Sequence, residues 1–333
     1  MANVANDAIT ATYGGAQLNE IFYEPVFRSD DIMRNYRVIP NVKHVMNVYT
    51  AAALTKIVEV YSTCSATSGA NQFDLSDKVI TAGRCRVALE QCTDEFFGTF
   101  IEESYRNGAD VMNIEGTQLA DAIVNRAVKG IASDVVRLAW GGDVAGAVAG
   151  YAVFDGWMEL MKAETVLEYT GVAPAAPTAA EAIGIIRKIF DEAPAALQQV
   201  APSDKKIFVT PGIFNAYLAN LEGSSADLAI VNQVDGMQRV MFRGVELVAM
   251  YEWATIVADT NPDVFQSAAG ADLTQGICYC AVENLIIGSD VTDPSGSFKV
   301  FYDDLEEKMF FRGYFKLGVQ YMYSSLVQWG LLV

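Results

Sequence analysis

Three observations on the 333-residue sequence predict an α+β fold built around one long helix. Residues 113–142 carry apolar side chains at helical spacing. Shorter segments, above all those after residue 297, alternate apolar and polar residues as strands do. An Ala/Pro-rich stretch at 171–182 marks a crossing into a separate strand–helix region.

In the long helix, Leu119, Ile123, Ala127, Ile131, Val135 and Leu138 form a stripe widened by Val124, Val128, Ala132 and Val136. Asp121, Asn125, Arg126, Lys129, Asp134 and Arg137 are polar between them, which fits an amphipathic helix and not a strand. About 26 residues at ~1.5 Å each span roughly 39 Å, and one face of such a beam has to lie on something broad. Gly141-Gly142 ends the run, with glycine in the left-handed conformation of a helix C-cap. Gly130 costs about 1 kcal/mol relative to Ala in mid-helix, an expense that close packing at that point would explain.

The remaining elements follow in chain order. FYEPVF (22–27) and YRVIPNV (36–42) are Pro-bearing extended pieces, suited to an arm laid on another surface. LTKIVEVYS (54–62) and KVITAGRCRVAL (78–89) read as a long hairpin joined by a polar 15-residue loop. Ordinary hairpin loops have about two to five residues, so this one is functional or mobile. A short helix is predicted over 93–108, capped by Thr93 or Asp94 and ended by Gly108. Thr178 and Glu181 form a capping box that opens a helix through Phe190. KKIFV (205–209) is a buried strand, and Thr210-Pro211 then serves as N-cap and first residue of a helix stopped by Gly223. Residues 237–252 have the length and turn glycine of a hairpin, and 277–288 make another strand or two. In the C-terminal run, Gly313 and Gly318 mark bulges or close contacts.

Composition bounds the function. Hydrophobic residues make up 52% and aromatic residues 11%, which fits a globular chain with apolar surface left over for partners. The net charge of −18 opposes a grip on the phosphate backbone of nucleic acid, because that affinity comes from Lys and Arg. The N-terminus lacks the basic and apolar segments of a signal peptide, and the apolar run at 144–154 is too short to span a bilayer. Five cysteines, among them Cys278 and Cys280 on one face of a strand, read as reduced, packed thiols of a cytosolic setting.

Little catalytic chemistry is encoded. A triad or metal cage built on histidine would rest on His44 alone, which reads instead as an ordinary arm or interface side chain. The glycines at 141–150 miss the dinucleotide-binding spacing, and no phosphate loop or nucleophile elbow is present. DDLEE (303–307) reads as a solvated turn and DVTDPSG (290–296) as a turn lacking a cation loop's final Glu. No catalytic, cofactor-binding or metal-ligating residue is assigned.

Taken whole, this order of elements resembles the HK97-fold major capsid proteins of tailed bacteriophages. Residues 1–45 are similar to the N-arm and 46–92 to the extended E-loop hairpin. Residues 93–165 are similar to the P-domain, with its spine helix at 114–140. Residues 166–288, with IFVTPGIFNAYLANLE and FRGVELVAMYE, are similar to the A-domain. Residues 289–333 are similar to the C-terminal strands returning to these domains, where the Gly-Val pair is Gly318-Val319. The resemblance implies a shell subunit that is not an enzyme and needs no cofactor. It would assemble as pentamers and hexamers in the host bacterial cytoplasm and enclose DNA in the virion, with scaffold, portal and decoration proteins as partners and no membrane. Phe73 and Leu75, near the hairpin tip, are the expected assembly contacts. The alternative readings are the shell of an encapsulin-type nanocompartment, or another phage structural protein of the tail or decoration kind.

Overall fold

The computed structural model describes residues 10–13, 30–51, 75–92, 118–146, 148–162, 167–169, 177–223, 240–259, 273–290, 298–303 and 308–332. The first part contains β1 (Thr10–Tyr13), α1 (Asp30–Asn35), β2 (Arg37–Pro40), β3 (Val45–Ala51), β4 (Leu75–Thr81), β5 (Gly83–Cys92) and the long helix α2 (Gln118–Gly141). Then come α3 (Trp157–Met161), β6 (Leu167–Tyr169), α4 (Ala179–Asp191), α5 (Ala195–Gln199), β7 (Lys205–Val209) and α6 (Pro211–Gly223). The rest is β8 (Met241–Phe242), β9 (Val245–Ala249), α7 (Tyr251–Ala258), β10 (Gly276–Ala281), β11 (Leu285–Ser289), β12 (Phe298–Asp303), β13 (Lys308–Tyr321) and β14 (Val327–Leu332). The predicted pieces at 22–27, 54–62 and 93–108, and residues 114–117 of the predicted long helix, lie outside the described residues.

Two six-stranded sheets carry the architecture. In the first the order is β1-β12-β13-β11-β2, with β5 also paired to β13. The long strand β13 organises it, pairing antiparallel with β5 from Gly83↔Leu317 to Cys92↔Lys308. The second has the order β6-β14-β10-β7-β9-β8, and its strands β7 and β10 are buried along their whole length. Strands buried on both faces read as continuous apolar runs, which is why KKIFV and GICYCA show no alternation. One face of this sheet, through Ile207, Val209, Ile277 and Tyr279, packs with Ile185, Ile186 and Ile189 of α4 and Ile213 and Tyr217 of α6. Phe208, Cys278 and Cys280 point to the other side and join the core beneath α2.

Helix α2 lies where the sequence puts it. Val128, Ile131, Val135 and Ala139 are buried in one core with Phe311, Phe315, Leu317, Val319 and Tyr321 of β13. Its end is not a left-handed cap, because Gly142 keeps an ordinary φ and Gly244 is the positive-φ glycine among the described residues. The glycines at 142 and 156 are required by closeness. A Cβ on Gly142 would lie 2.3 Å from the Phe154 carbonyl oxygen, and one on Gly156 would lie 2.6 Å from Trp140 backbone oxygen. At Gly130 the expected close partner is missing: the position is exposed, and nothing lies within 4 Å of an added Cβ.

Several local expectations hold. Thr178 and Glu181 form the capping box of α4. The 237–252 hairpin turns at Arg243-Gly244, with φ of 49° and 82°. Both values are positive, the geometry of a type I′ turn that matches strand twist. Residues from Tyr251 onward, however, leave the hairpin and form α7. The stretch 277–288 becomes two strands in different sheets, with a 3-10 turn at Val282–Asn284 carrying the chain across. Gly313 is no bulge, since the register with β5 runs through it unbroken. Gly318 is a close contact, where a Cβ would stand 2.5 Å from the Thr81 carbonyl oxygen. Cys85, Cys278 and Cys280 are buried free thiols.

The arm expectation needs correction for residues 30–42. Strand β2 pairs parallel with β11, and Ile32, Tyr36 and Val42 are buried in their own chain. The anchor is aromatic. Tyr36 stacks on Trp157 at 4.9 Å and on Phe208 at 5.8 Å, and Trp140 Nε1 donates a 2.9 Å hydrogen bond to its hydroxyl. Trp140 also meets Trp157, Phe208 and Trp253 edge-on, and Trp253 meets Trp329 at 5.4 Å. All four tryptophans of the chain thus join α2, α3, α7 and β14 where the two sheets meet.

Candidate assembly surfaces

Strands β3 and β4 form a separate two-stranded ribbon, in register from Val45↔Thr81 to Ala51↔Leu75. Directly opposite residues share a face, so the ribbon presents two different surfaces. The inner one rests on the first sheet. Ile80 is buried with Val42, Ala82 and Ile286, and Val48 packs against them. Lys78 Nζ sits 3.4 Å over the Tyr321 ring, and Gln320 Nε2 donates a 3.0 Å hydrogen bond to the Val79 carbonyl. The Ala82 amide donates to the His44 carbonyl at 2.8 Å, which closes the base of the ribbon. Glycine at 288 lets the ribbon approach, because a Cβ there would stand 3.2 Å from Ile80 of β4 and 3.0 Å from Val42.

The outer surface has no cover among the described residues. Tyr49 is 68% exposed, Leu75 69%, Val45 53% and Val79 42%, and all four share this face. Asn47 Nδ2 donates to the Asp77 carboxylate at 3.3 Å in their midst. An isolated two-stranded ribbon is marginal in water, and this one carries contiguous exposed apolar residues on its outer face.

Of the two expected assembly residues, Leu75 lies on this face, while Phe73 lies outside the described residues. Val45, Tyr49 and Val79 were not singled out by sequence. The sequence starts the rising strand at residue 54, yet the paired strand already runs from Val45. The signal was there in the alternation of VMNVYTA against LSDKVIT. The return strand also ends sooner than predicted. KVITAGRCRVAL breaks at Ala82, and Gly83 onward pairs with β13 in the first sheet.

The acidic candidates resolve simply where they are described. Asp290 is buried and accepts the Lys316 amide at 2.7 Å, with Lys316 Nζ 3.7 Å away, so it pins two strands together. Residues 291–296 and 304–307 lie outside the described set. His44 is exposed. Among the described residues no three His, Cys, Asp or Glu side chains converge as a metal would need, and no helix is long and apolar enough to cross a membrane.

Comparison with solved structures finds a similar fold in chains of capsids. The chain is similar to a chain of the satellite phage P4 procapsid that includes the size-determination protein Sid. The TM-score is 0.54 at 10% identity, covering 95% of this chain and 96% of that one. It is similar to a chain of the cyanophage Pam1 capsid, with TM-score 0.53 and 14% identity over 92% of each chain. A chain from the capsid of an empty GTA particle gives 0.51 at 10% identity, over 92% and 89%. No protein-family model and no curated protein matches the sequence. The chain therefore has the HK97-like capsid fold, a likeness of structure at low sequence identity.

Proposed function

We propose that this chain is a major capsid protein, assembling as pentamers and hexamers into the icosahedral shell that encloses phage double-stranded DNA. The observation that carries this reading is the ribbon's outer face, an apolar surface left open on a chain with the HK97-like capsid fold. In this reading the virion is its place, the host bacterial cytoplasm its site of assembly, and scaffold, portal and decoration proteins its partners. The N-arm falls within residues 1–45, apart from the stretch 30–42 that packs on its own chain, and the E-loop within 46–92, apart from β5, which belongs to the first sheet; 93–165 serve as P-domain, 166–288 as A-domain and 289–333 as returning strands.

The function is assembly, not catalysis. Each subunit meets several neighbours through modest contacts, and closure makes later contacts intramolecular, so weak individual interfaces sum to a stable shell. Replacing Tyr49 and Leu75 together by Ser tests the ribbon's part. Both side chains are largely in water, so melting should shift by no more than the ordinary effect of surface substitutions, about 0.5 kcal/mol. Particle yield by sedimentation should collapse. Normal particles from the double variant would remove the ribbon face from the assembly contacts.

A further inference from the structure

The first sheet has a second face that α2 does not cover. On β5 it presents Arg84, Arg86, Ala88 and Glu90, and on β13 it presents Arg312, Tyr314 and Lys316, with Arg84 opposite Lys316, Arg86 opposite Tyr314 and Ala88 opposite Arg312. The alternate residues Cys85, Phe311, Phe315 and Leu317 point into the core. The chain's own ribbon covers one end of this face, at Gly318 and Gln320, and Phe310 opposite Glu90 is buried at the other. Beyond that end Arg84, Arg86, Arg312 and Tyr314 are exposed. Glu90 is 3.5 Å from Lys308, and Asp290 is 3.7 Å from Lys316. Arg84 and Arg86 have no ion-pair partner among the described residues. A chain of net charge −18 thus keeps a basic strip on this face.

We infer that this strip, Arg84 and Arg86 beside Tyr314, is the seat for a carboxylate-bearing surface of a second copy of this chain. The inference rests on the shell reading and gives that reading a charge mechanism. Copies that each carry 41 acidic and 23 basic residues repel one another, so local opposite charge at a contact eases their approach and fixes its register. A second copy supplies carboxylates in excess. Two guanidinium groups beside a tyrosine match a protein surface, where Arg and Tyr are enriched in interface cores. Duplex DNA is the other polyanion in such a particle. Seating it here would bring the whole acidic subunit against the phosphates, and the strip's few cations give only a small counterion-release gain.

The test uses the full chain, freed of nucleic acid, under conditions where the wild type forms particles. R84A/R86A should keep wild-type circular dichroism and melting while raising the threshold concentration for assembly roughly tenfold, the size of two rim charges lost. R84E/R86E should raise it further, and R84K/R86K should restore most of it. In R86K particles built from mixed light and heavy nitrogen-labelled subunits, carbodiimide should couple position 86 to an Asp or Glu of the other isotope. That measurement stands even where charge reversal disturbs folding. Wild-type thresholds for the Ala and Glu variants overturn the inference, as do links confined to one isotope. So does a defect seen only when duplex DNA is added, which would assign the strip to phosphate. A wild type that forms no particles removes the shell reading and this contact with it, whereas particles from wild type and R84E/R86E alike remove the contact alone.

Discussion

Gly130 and Ile131 are neighbours on one helix with opposite demands. Gly130 faces water with no atom within 4 Å of a Cβ, so Gly130→Ala should stabilise the chain by about 1 kcal/mol, read as a raised urea midpoint. An unchanged or lowered midpoint would mean that the position is constrained by something beyond its own helix. Ile131 is buried in the core shared with β13. Ile131→Asp buries an unpaired carboxylate and should cost several kcal/mol, enough to prevent soluble folding. Soluble protein with wild-type melting would show that the stripe is not core. Periodicity gave the face of Ile131 correctly because it sums over many residues. The reason for a single glycine was not legible, since closeness depends on which backbone passes by, as at Gly142 and Gly156.

At the scale of elements, local chemistry was readable where it is local. A capping box, a Thr-Pro helix start and an Arg-Gly turn each satisfy or preset backbone groups within a few residues, and each stands where the sequence puts it. Partners distant in sequence were not readable. Strands β10 and β11 have the same buried, apolar pattern, yet belong to different sheets. Likewise nothing in YRVIPNV foretells that α1 is tied to the second sheet. There Arg34 pairs with Glu246, and Lys206 Nζ lies 3.3 Å from the same carboxylate and donates to Asn35 Oδ1 at 2.5 Å. The Lys206 side chain is almost wholly buried, while Glu246 keeps some contact with water. Glu246→Ala should therefore cost about 2 kcal/mol, below the 3–5 of a fully buried pair, measured by urea unfolding. A loss of under 0.5 kcal/mol would show that the cluster behaves as a surface pair.

For the whole molecule, the two sheets are held at a junction of aromatic side chains and protonated thiols, and this sets its response to alkali. Burial, helped by the charge of Asp290, pushes the Cys85 thiol from its ordinary value of ~9 up to about 12. Burial raises Tyr36 at this junction, and on the other face of the second sheet, beside α4, it pushes the Tyr279 hydroxyl up to about 12. Between those values the folded chain holds protons that the unfolded chain has released, so stability falls as pH rises. The urea midpoint should hold to about pH 8.5 and decline steadily from pH 9 toward 12. A flat profile to pH 11 would contradict the burial of these groups. The junction was invisible in sequence because its four tryptophans lie far apart in the chain and in no common pattern. The order of long helix, crossing and closing strands was visible, and it led to the fold that the capsid structures share.

The account stands on assembly, and electron microscopy of the purified, expressed protein together with its gene partners tests this most directly. It predicts closed, icosahedral particles with pentameric and hexameric capsomers. Monomers or dimers alone, across protein concentrations and ionic strengths, would contradict it.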